Sequence, residues 1–338
     1  MNKLDTRFVN IPTGFKNRII NGDFQIWQRG TSASYVSDSV ALTADHGYKS
    51  ADRIYCSNVK AGGQFTVSKS SMNGFNSFKV TVDTPPDNLT WDGTTLRFWD
   101  TFEYRFEGNH LYDLIQKKTD ITISFLFRSN VAGKFSVLFR NNVATDGTRS
   151  WGIDSWATSF EYDGSETPRR YSFTIPLDNN WKGGIFNDNN FGFNILLCCI
   201  ADPHYIAPQE NTWISGDYLV VPDYTNWASQ AGNYIEIAQL QLEEGDTATD
   251  FEYVPYDIQL LRCMRYYETI RSVNENSTTI SRRVVNFRVV KRSTPTVTIK
   301  EDITGTVYIP IEANAKDIIF NPDNSNPYGI WIEVDAEL

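Results

Sequence analysis

The feature that most constrains this chain is apolar alternation at period two, in many short runs. Phe78, Val80 and Val82 alternate with Lys79 and Thr81, and Ile121, Ile123, Phe125 and Phe127 alternate with Thr122, Ser124 and Leu126. Phe135, Val137 and Phe139 repeat the pattern, as do Tyr171, Phe173 and Ile175. Successive strand side chains point to opposite faces, so each run offers one face to a core and the other to water. Turn chemistry separates the runs at Asp92-Gly93, Asp146-Gly147, Asp163-Gly164 and Gly183-Gly184. Phe191–Ile200 is apolar on both faces, which predicts a central strand. In Tyr234–Leu242 the phase slips, with Ile235 and Ile237 on one parity and Leu240 and Leu242 on the other, as a β-bulge produces. Many short strands with Gly-rich turns define an all-β class, a two-sheet β-sandwich.

One stretch departs from this period. In Tyr256–Arg271, Ile258, Leu261, Met264 and Tyr267 recur every three residues, with Leu260 and Cys263 beside them. That spacing predicts a short amphipathic helix with Asp257 as its N-cap, and Pro255 marks a boundary before it. After a polar stretch, Ser272–Thr279, alternation returns at Val285, Phe287 and Val289, at Val297 and Ile299, at Val307 and Ile309, and at Ile330, Ile332 and Val334. The expected organisation is an N-terminal arm at 1–17, a sandwich at 18–255, a helical linker at 256–272 and a small C-terminal β domain at 273–338. So small a β unit buries too little to stand alone, so it needs the sandwich or copies of itself.

Charge and composition exclude several classes. The net charge is −10 and no Lys/Arg run exceeds two residues, so the surface repels phosphate backbones and no nucleic-acid partner is expected. No apolar stretch is long enough to cross a bilayer, and Met1–Arg18 lacks the apolar segment of a secretory signal, so no membrane insertion is expected. Cys56, Cys198, Cys199 and Cys263 form no CxxC pair and are expected as buried thiols, without disulfides or zinc. His46, His110 and His204 are isolated, and neither a GxSxG elbow nor an HExxH helix occurs. Glu243-Glu244 and the Glu161/Asp163 pair are expected in solvated turns, and no spacing singles out two carboxylates for glycoside hydrolysis. A non-enzyme without cofactors is the resulting expectation.

Tryptophan in polar surroundings is the remaining signal: Trp91, Trp151, Trp156, Trp181, Trp213 and Trp227 all sit among Asn, Asp, Ser, Thr or Gly. Each such ring either caps the end of the sandwich or serves as a stacking platform for a sugar, with neighbouring amides and carboxylates taking the hydroxyls. The candidate carbohydrate site is Trp151, Asp154 and Trp156 in RSWGIDSWATS, with Asn179, Asn180 and Trp181 close by in space. The first two tryptophans stand five apart in a turn-rich segment and cannot both alternate into one strand core.

Two blocks resemble a known group. Asn17–Ser32 reads NRIINGDFQIWQRGTS, followed by ADRI at Ala51–Ile54. Tyr234–Tyr267 reads YIEIAQLQLEEGDTATDFEYVPYDIQLLRCMRYY, followed by TPTVTI at Thr294–Ile299. Together they resemble bacteriophage and prophage tail-fibre and appendage proteins. The resemblance implies a jelly-roll domain similar to carbohydrate-binding modules, then a short helix and a C-terminal β domain. It further implies a chain made in the host cytoplasm and carried on the virion, in a tail or other external appendage. Trimer formation, contacts with other virion proteins through residues 1–17, and attachment to a bacterial surface polysaccharide are implied too. The rival expectations are a structural head-fibre, decoration or adaptor protein without a ligand, and a glycan depolymerase. In several carbohydrate-binding sandwiches with an NGDF-like opening, a calcium bridges the first and last strands through carboxylates. Here Gln25, Ala238 and Gln239 stand where acidic residues are wanted, so no metal is expected. Trp27 is expected in the core, and Asp52-Arg53 as a buried ion pair.

Overall fold

The alternating runs pair into two antiparallel sheets that face each other through their apolar sides. The computed structural model describes residues 14–38, 43–86, 99–144, 147–177, 184, 186–272, 283–302, 308–322 and 330–338. The sandwich strands are β1 (Ser32–Val36), β2 (Ala44–Gly47), β3 (Ile54–Val59), β4 (Gln64–Met72), β5 (Phe75–Thr84), β6 (Trp99–Glu107) and β7 (Ile121–Ser129). They continue as β8 (Ala132–Val143), β9 (Arg149–Asp163), β10 (Arg169–Ile175), β11 (Phe191–Leu197), β12 (Ile200–Ala201), β13 (Trp213–Ser215) and β14 (Tyr234–Glu244). One sheet has the order β1-β4-β5-β14-β7-β10, and the other runs β13-β9-β8-β11-β6-β3-β2 with β12 beside β6. The fold is an all-β jelly-roll sandwich.

The sheets are zipped by aromatic contacts, among them Phe65 against Phe102 at 5.2 Å and Phe127 against Phe135 at 4.9 Å between ring centroids. The residues expected to face inward from β5, β7 and β8 are all buried. β11 lies between β8 and β6, as its apolar character predicts. The phase slip in β14 is a register shift between Ala238 and Gln241, with Gln239 at φ 52°. The NGDF segment is stitched onto this strand. Leu240 donates its N–H to the Gly22 carbonyl at 2.8 Å, and a Cβ on Gly22 would stand 2.0 Å from the Leu240 oxygen, so only glycine fits. Trp27 is half-buried, stacked on Phe78 with its indole N–H on the Phe24 carbonyl at 2.7 Å.

A helix that period-two reading misses, α1 (Gly108–Lys117), follows β6 and buries Leu111, Leu114 and Ile115. Their i, i+3, i+4 spacing is the signal that identifies it. Long loop residues between β12 and β14 fold over part of the eight-stranded sheet's outer face. There Tyr205, Ala207, Leu219, Val220 and Val221 form a second small core on Leu138, Ala157 and Leu196.

Several boundaries and pairings differ from expectation. Helix α2 (Tyr256–Met264) is shorter than the expected 256–272, and Tyr267–Ser272 is already strand β15, paired with Ile330–Asp335. The helical stripe divides: Leu260, Cys263 and Met264 pack on Ile20, Ile26 and Tyr266 or are buried nearby, whereas Ile258 and Leu261 stay exposed with Tyr256. The C-terminal unit also holds β16 (Arg283–Asn286), β17 (Thr296–Asp302), β18 (Tyr308–Ala313), β19 (Asp317–Pro322) and β20 (Ile330–Asp335). They form two three-stranded sheets around Ile270, Val285, Phe287, Ile318, Ile332 and Val334. Of the expected arm, Asn17 is buried and its backbone N–H donates to Glu252 at 2.8 Å; residues 1–13 lie outside the described residues.

Asp52 and Arg53 are both buried, yet they do not pair with each other. Asp52 accepts from the Gln28 backbone and side chain at 2.8 and 2.6 Å, while Arg53 pairs with Glu337. Arg53 has φ 73°, and its side chain reaches the C-terminal segment. Glu243 is likewise buried rather than solvated, and accepts from Gln241 at 2.8 Å and the Thr249 N–H at 2.9 Å. All four cysteines are buried free thiols.

Candidate functional site

Of the residues expected to hold a sugar, the described ones, Asp154 and Trp156, are buried. RSWGIDSWATS is not turn-rich but part of the continuous strand β9. Trp156 is 8% exposed, edge-on to Trp213 at 5.8 Å within the main core, and is unavailable for stacking on a sugar. Asp154 is buried and accepts from the Ser215 hydroxyl at 2.9 Å, across the β9–β13 pair. The side chain of Trp151, together with Asn179, Asn180, Trp181 and Trp91, lies outside the described residues. Trp213 and Trp227 also turn inward, donating their indole N–H to the carbonyls of Pro176 at 2.7 Å and Cys198 at 2.8 Å. A tryptophan whose N–H is satisfied by backbone caps a sandwich end without needing a ligand.

A different site emerges on the outer face of the eight-stranded sheet. The loop that forms the second core covers only part of that face. Beside it lies a groove of about 420 Å³, walled by Tyr205, Asp217 and Leu219 on one side and by Ala44, His46 and Tyr55 on the other. Its floor comes from outward positions of the central strands. On β6, Thr101, Glu103 and Arg105 alternate with the core residues Phe102, Tyr104 and Phe106. Arg140 on β8 completes it.

The floor is a connected polar layer. Asn194, the one polar side chain of β11, donates to Glu103 at 2.5 Å and accepts from Asn142 at 3.0 Å and Arg140 at 3.3 Å. Arg105 donates to Glu103 at 2.9 Å, and its guanidinium carbon lies 3.3 Å from the centre of the Tyr55 ring. Arg140 pairs with Asp217, which ties the loop wall to the sheet. At the rim the Tyr55 hydroxyl meets His46 Nδ1 at 2.8 Å, and lower down Ser57 and Thr101 hydroxyls meet at 2.7 Å. Burial pushes the Glu103 carboxyl up, but Arg105 and then Arg140 outweigh it, so the group sits below its usual value and stays charged. Burial likewise opposes the Arg105 charge, and Glu103 restores it.

This arrangement presents a half-buried tyrosine ring backed by a cation, two hydroxyls, an imidazole and two Arg–carboxylate pairs, all held by neighbours. Such groups bind polar, hydroxyl-rich ligands with little reordering. The reading from tryptophan context missed all of them, because none lies in a tryptophan-rich loop. The signal present in sequence is a charged alternate face on an otherwise aromatic strand, Thr101, Glu103 and Arg105, with Asn194 inside an apolar run.

Among the described residues, no group of three or more His, Cys, Asp or Glu side chains is placed to hold a metal ion, and no helix is long and apolar enough to cross a membrane. No family model matches the chain, and comparison with characterised proteins found no relative. Among solved structures, the family 11 carbohydrate-binding module of the Clostridium thermocellum cellulosomal cellulase Lic26A-Cel5E is similar at 13% identity and TM-score 0.32, over 69% of this chain and 96% of that one. A family 4 carbohydrate-binding module is similar at 10% identity and TM-score 0.29, over 66% and 97%. The enzymatically active domain of tailspike protein 4 from bacteriophage CBA120 is similar at 10% identity and TM-score 0.29, over 68% of this chain but only 21% of that one. No site residue carries across at these values.

Proposed function

We propose that the chain is a non-catalytic attachment protein of a bacteriophage particle, and that the groove on its eight-stranded sheet holds a bacterial surface polysaccharide. The observation that carries the reading is the groove floor itself. Tyr55, Arg105, Glu103, Asn194 and Arg140 are pre-paired, and they offer a ring face beside donors and acceptors. The virion setting rests on the tail-fibre resemblance of the two sequence blocks.

Binding fits this groove better than bond cleavage. A glycosidase needs one carboxyl that keeps its proton near neutral pH. Glu103 is held charged by Arg105, and Asp217 is paired with Arg140. Asp100, whose carboxyl burial pushes up to about 8, lines a space of about 10 Å³, too small for a sugar. The exposed Tyr256, Ile258 and Leu261 are the surface we assign to trimer formation.

The test is binding of the purified chain to immobilised bacterial surface polysaccharides and to whole cells. Binding without release of reducing ends, weakened about tenfold by Tyr55→Ala, is the expected result. Absence of binding to any polysaccharide would leave a structural virion protein as the answer, and reducing-end release would make it a depolymerase.

A further inference from the structure

A second cavity, of about 220 Å³, shares no lining residue with the groove and lies by the six-stranded sheet. Four distant segments converge on it. Asp23 and Gln25 come from the NGDF segment, Phe75 and Asn76 from the start of β5, Gln239 from the bulge of β14, and Tyr253 and Val254 from the segment before α2.

Each segment is specially shaped there. Asn73 at φ 50° and Gly74 at φ 84° form a tight hairpin turn that delivers Phe75 and Asn76. Gln239 holds φ 52°, a conformation disfavoured for a residue with a Cβ. Its amide is used on both sides, accepting from Arg170 and donating to the Tyr253 hydroxyl. Tyr253 is therefore 57% exposed yet tethered at its tip. Phe75 stands beside it at 6.3 Å between ring centres and is 37% exposed. An exposed ring that is already immobilised loses little further freedom on binding.

The carboxyl of Asp23 supplies the polar half. Its Oδ2 accepts from Gln25 at 2.6 Å, while its buried Oδ1 has no hydrogen-bond partner. A buried acceptor left unpaired is destabilising, and a hydroxyl donor from a ligand would relieve that cost. Lys69 reaches the same segment, donating to the Gln25 carbonyl at 2.9 Å.

We infer that this cavity is a second saccharide site, sized for a single sugar ring. Tyr253 and Phe75 present the stacking faces, and Asp23, Gln25 and Asn76 meet hydroxyls. It stands whether or not the groove binds glycan. Together with the groove, it would let one chain hold a polysaccharide at two points, and weak sites linked this way gain through effective concentration.

Ligand-observed saturation-transfer NMR on the full chain tests it, with the methyl glycosides of glucose, galactose, N-acetylglucosamine and N-acetylgalactosamine as probes. In the Tyr55→Ala background, which silences the groove, at least one glycoside should still show transfer that Tyr253→Ala reduces about tenfold and that Asp23→Asn also reduces. Tyr253→Phe keeps the ring but removes its tether, and should weaken binding several-fold without changing the melting temperature. Transfer lost only with Tyr55→Ala overturns the second site, as does no Tyr253-dependent transfer from any of the four probes. A Tyr253-region response to added calcium in place of glycoside would also overturn it.

Discussion

Two clusters of arginine, carboxylate and tyrosine occur in this molecule, and they differ in one respect: one is sealed and the other opens to water. In the sealed cluster Arg53 is fully buried, pairs with Glu337, and lies with its guanidinium 3.5 Å from the centre of the Tyr266 ring. Arg29 joins through Asp335 at 3.0 Å and stacks on Tyr267 at 3.5 Å. Arg292 donates to the carbonyls of Ala336 at 2.8 Å and Glu337 at 3.0 Å. These contacts hold the C-terminal segment against the sandwich. In the groove the same chemistry joins Arg105, Glu103, Arg140 and Asp217, but one side of it faces a cavity. Where every partner is protein, the charges fix the docking of one part on another. Where one side is vacant to solvent, they are available to a ligand.

The sealed cluster should break hardest. Arg53→Met removes the nearer partner of the buried Glu337 and leaves it the Arg29 contact at 3.5 Å, which costs about 3–5 kcal/mol. Chemical denaturation should report that loss. The double variant with Glu337→Gln should recover part of it, because the two residues act on one interaction. Equal effects in the single and double variants would mean that the pair does not hold the C-terminal segment.

A buried carboxyl outside both clusters sharpens the contrast. Asp100 lies in β6 on the same strand as Glu103, but its Oδ1 is buried without a partner, and burial pushes its carboxyl from 3.8 up to about 8. The folded protein holds this proton more tightly than the unfolded chain does. Its stabilising contribution is therefore complete below the unfolded value and is lost as pH rises from about 4 towards 8. Asp100→Asn should raise stability at pH 7 by about 2–4 kcal/mol and flatten the decline across that window. Melting temperatures from pH 4 to 9 would show it, and an unchanged slope would mean that Asp100 finds a partner in solution.

Tyr55→Ala separates binding from folding. The ring is half-buried at the groove rim, so its removal should weaken polysaccharide binding by about 1–3 kcal/mol and stability by clearly less. Trp156→Ala is the opposite case, since its ring is core and should cost about 3–5 kcal/mol of stability. If Trp156→Ala leaves stability intact, the core assignment fails.

The sandwich was legible in sequence because alternation is a local property. Phe78, Ile121 and Phe135 each announce their face within a few residues, and the Gln239 bulge shows as a parity slip in the same way. The place of Trp156 is hidden in sequence because Gly152 at φ 58° and a register shift between Asn141 and Val143 break the count within a regular strand, while the polar letters around the ring mimic a loop. Of the groove, only the charged alternate face of β6 and the lone Asn194 were legible. Tyr55, Arg105, Arg140 and Asp217 meet only because β3, β6, β11 and β8 are neighbours in that order, which alternation does not specify. Arg53 announced a buried charge correctly, but its partner Glu337 lies almost a whole chain away.

Arg105 is where the comparison can fail, since it belongs to both clusters. It stacks on Tyr55 and pairs with Glu103 in the groove, and it also donates to the Leu338 carbonyl at 3.1 Å, which the Tyr48 hydroxyl shares at 3.2 Å. A lysine at this position keeps the charge but not the planar fork, so it can satisfy Glu103 or Leu338 and cannot stack on the ring. Arg105→Lys should therefore lower stability by only about 1 kcal/mol, the worth of one hydrogen bond. Its binding loss should approach that of Tyr55→Ala, because the ring loses the cation behind it. In the Tyr55→Ala background the same substitution should add little further loss, and titration of the four proteins forming that cycle measures the coupling. Additive losses would show that Arg105 serves the C-terminal segment alone, and that the open cluster recognises its ligand without it.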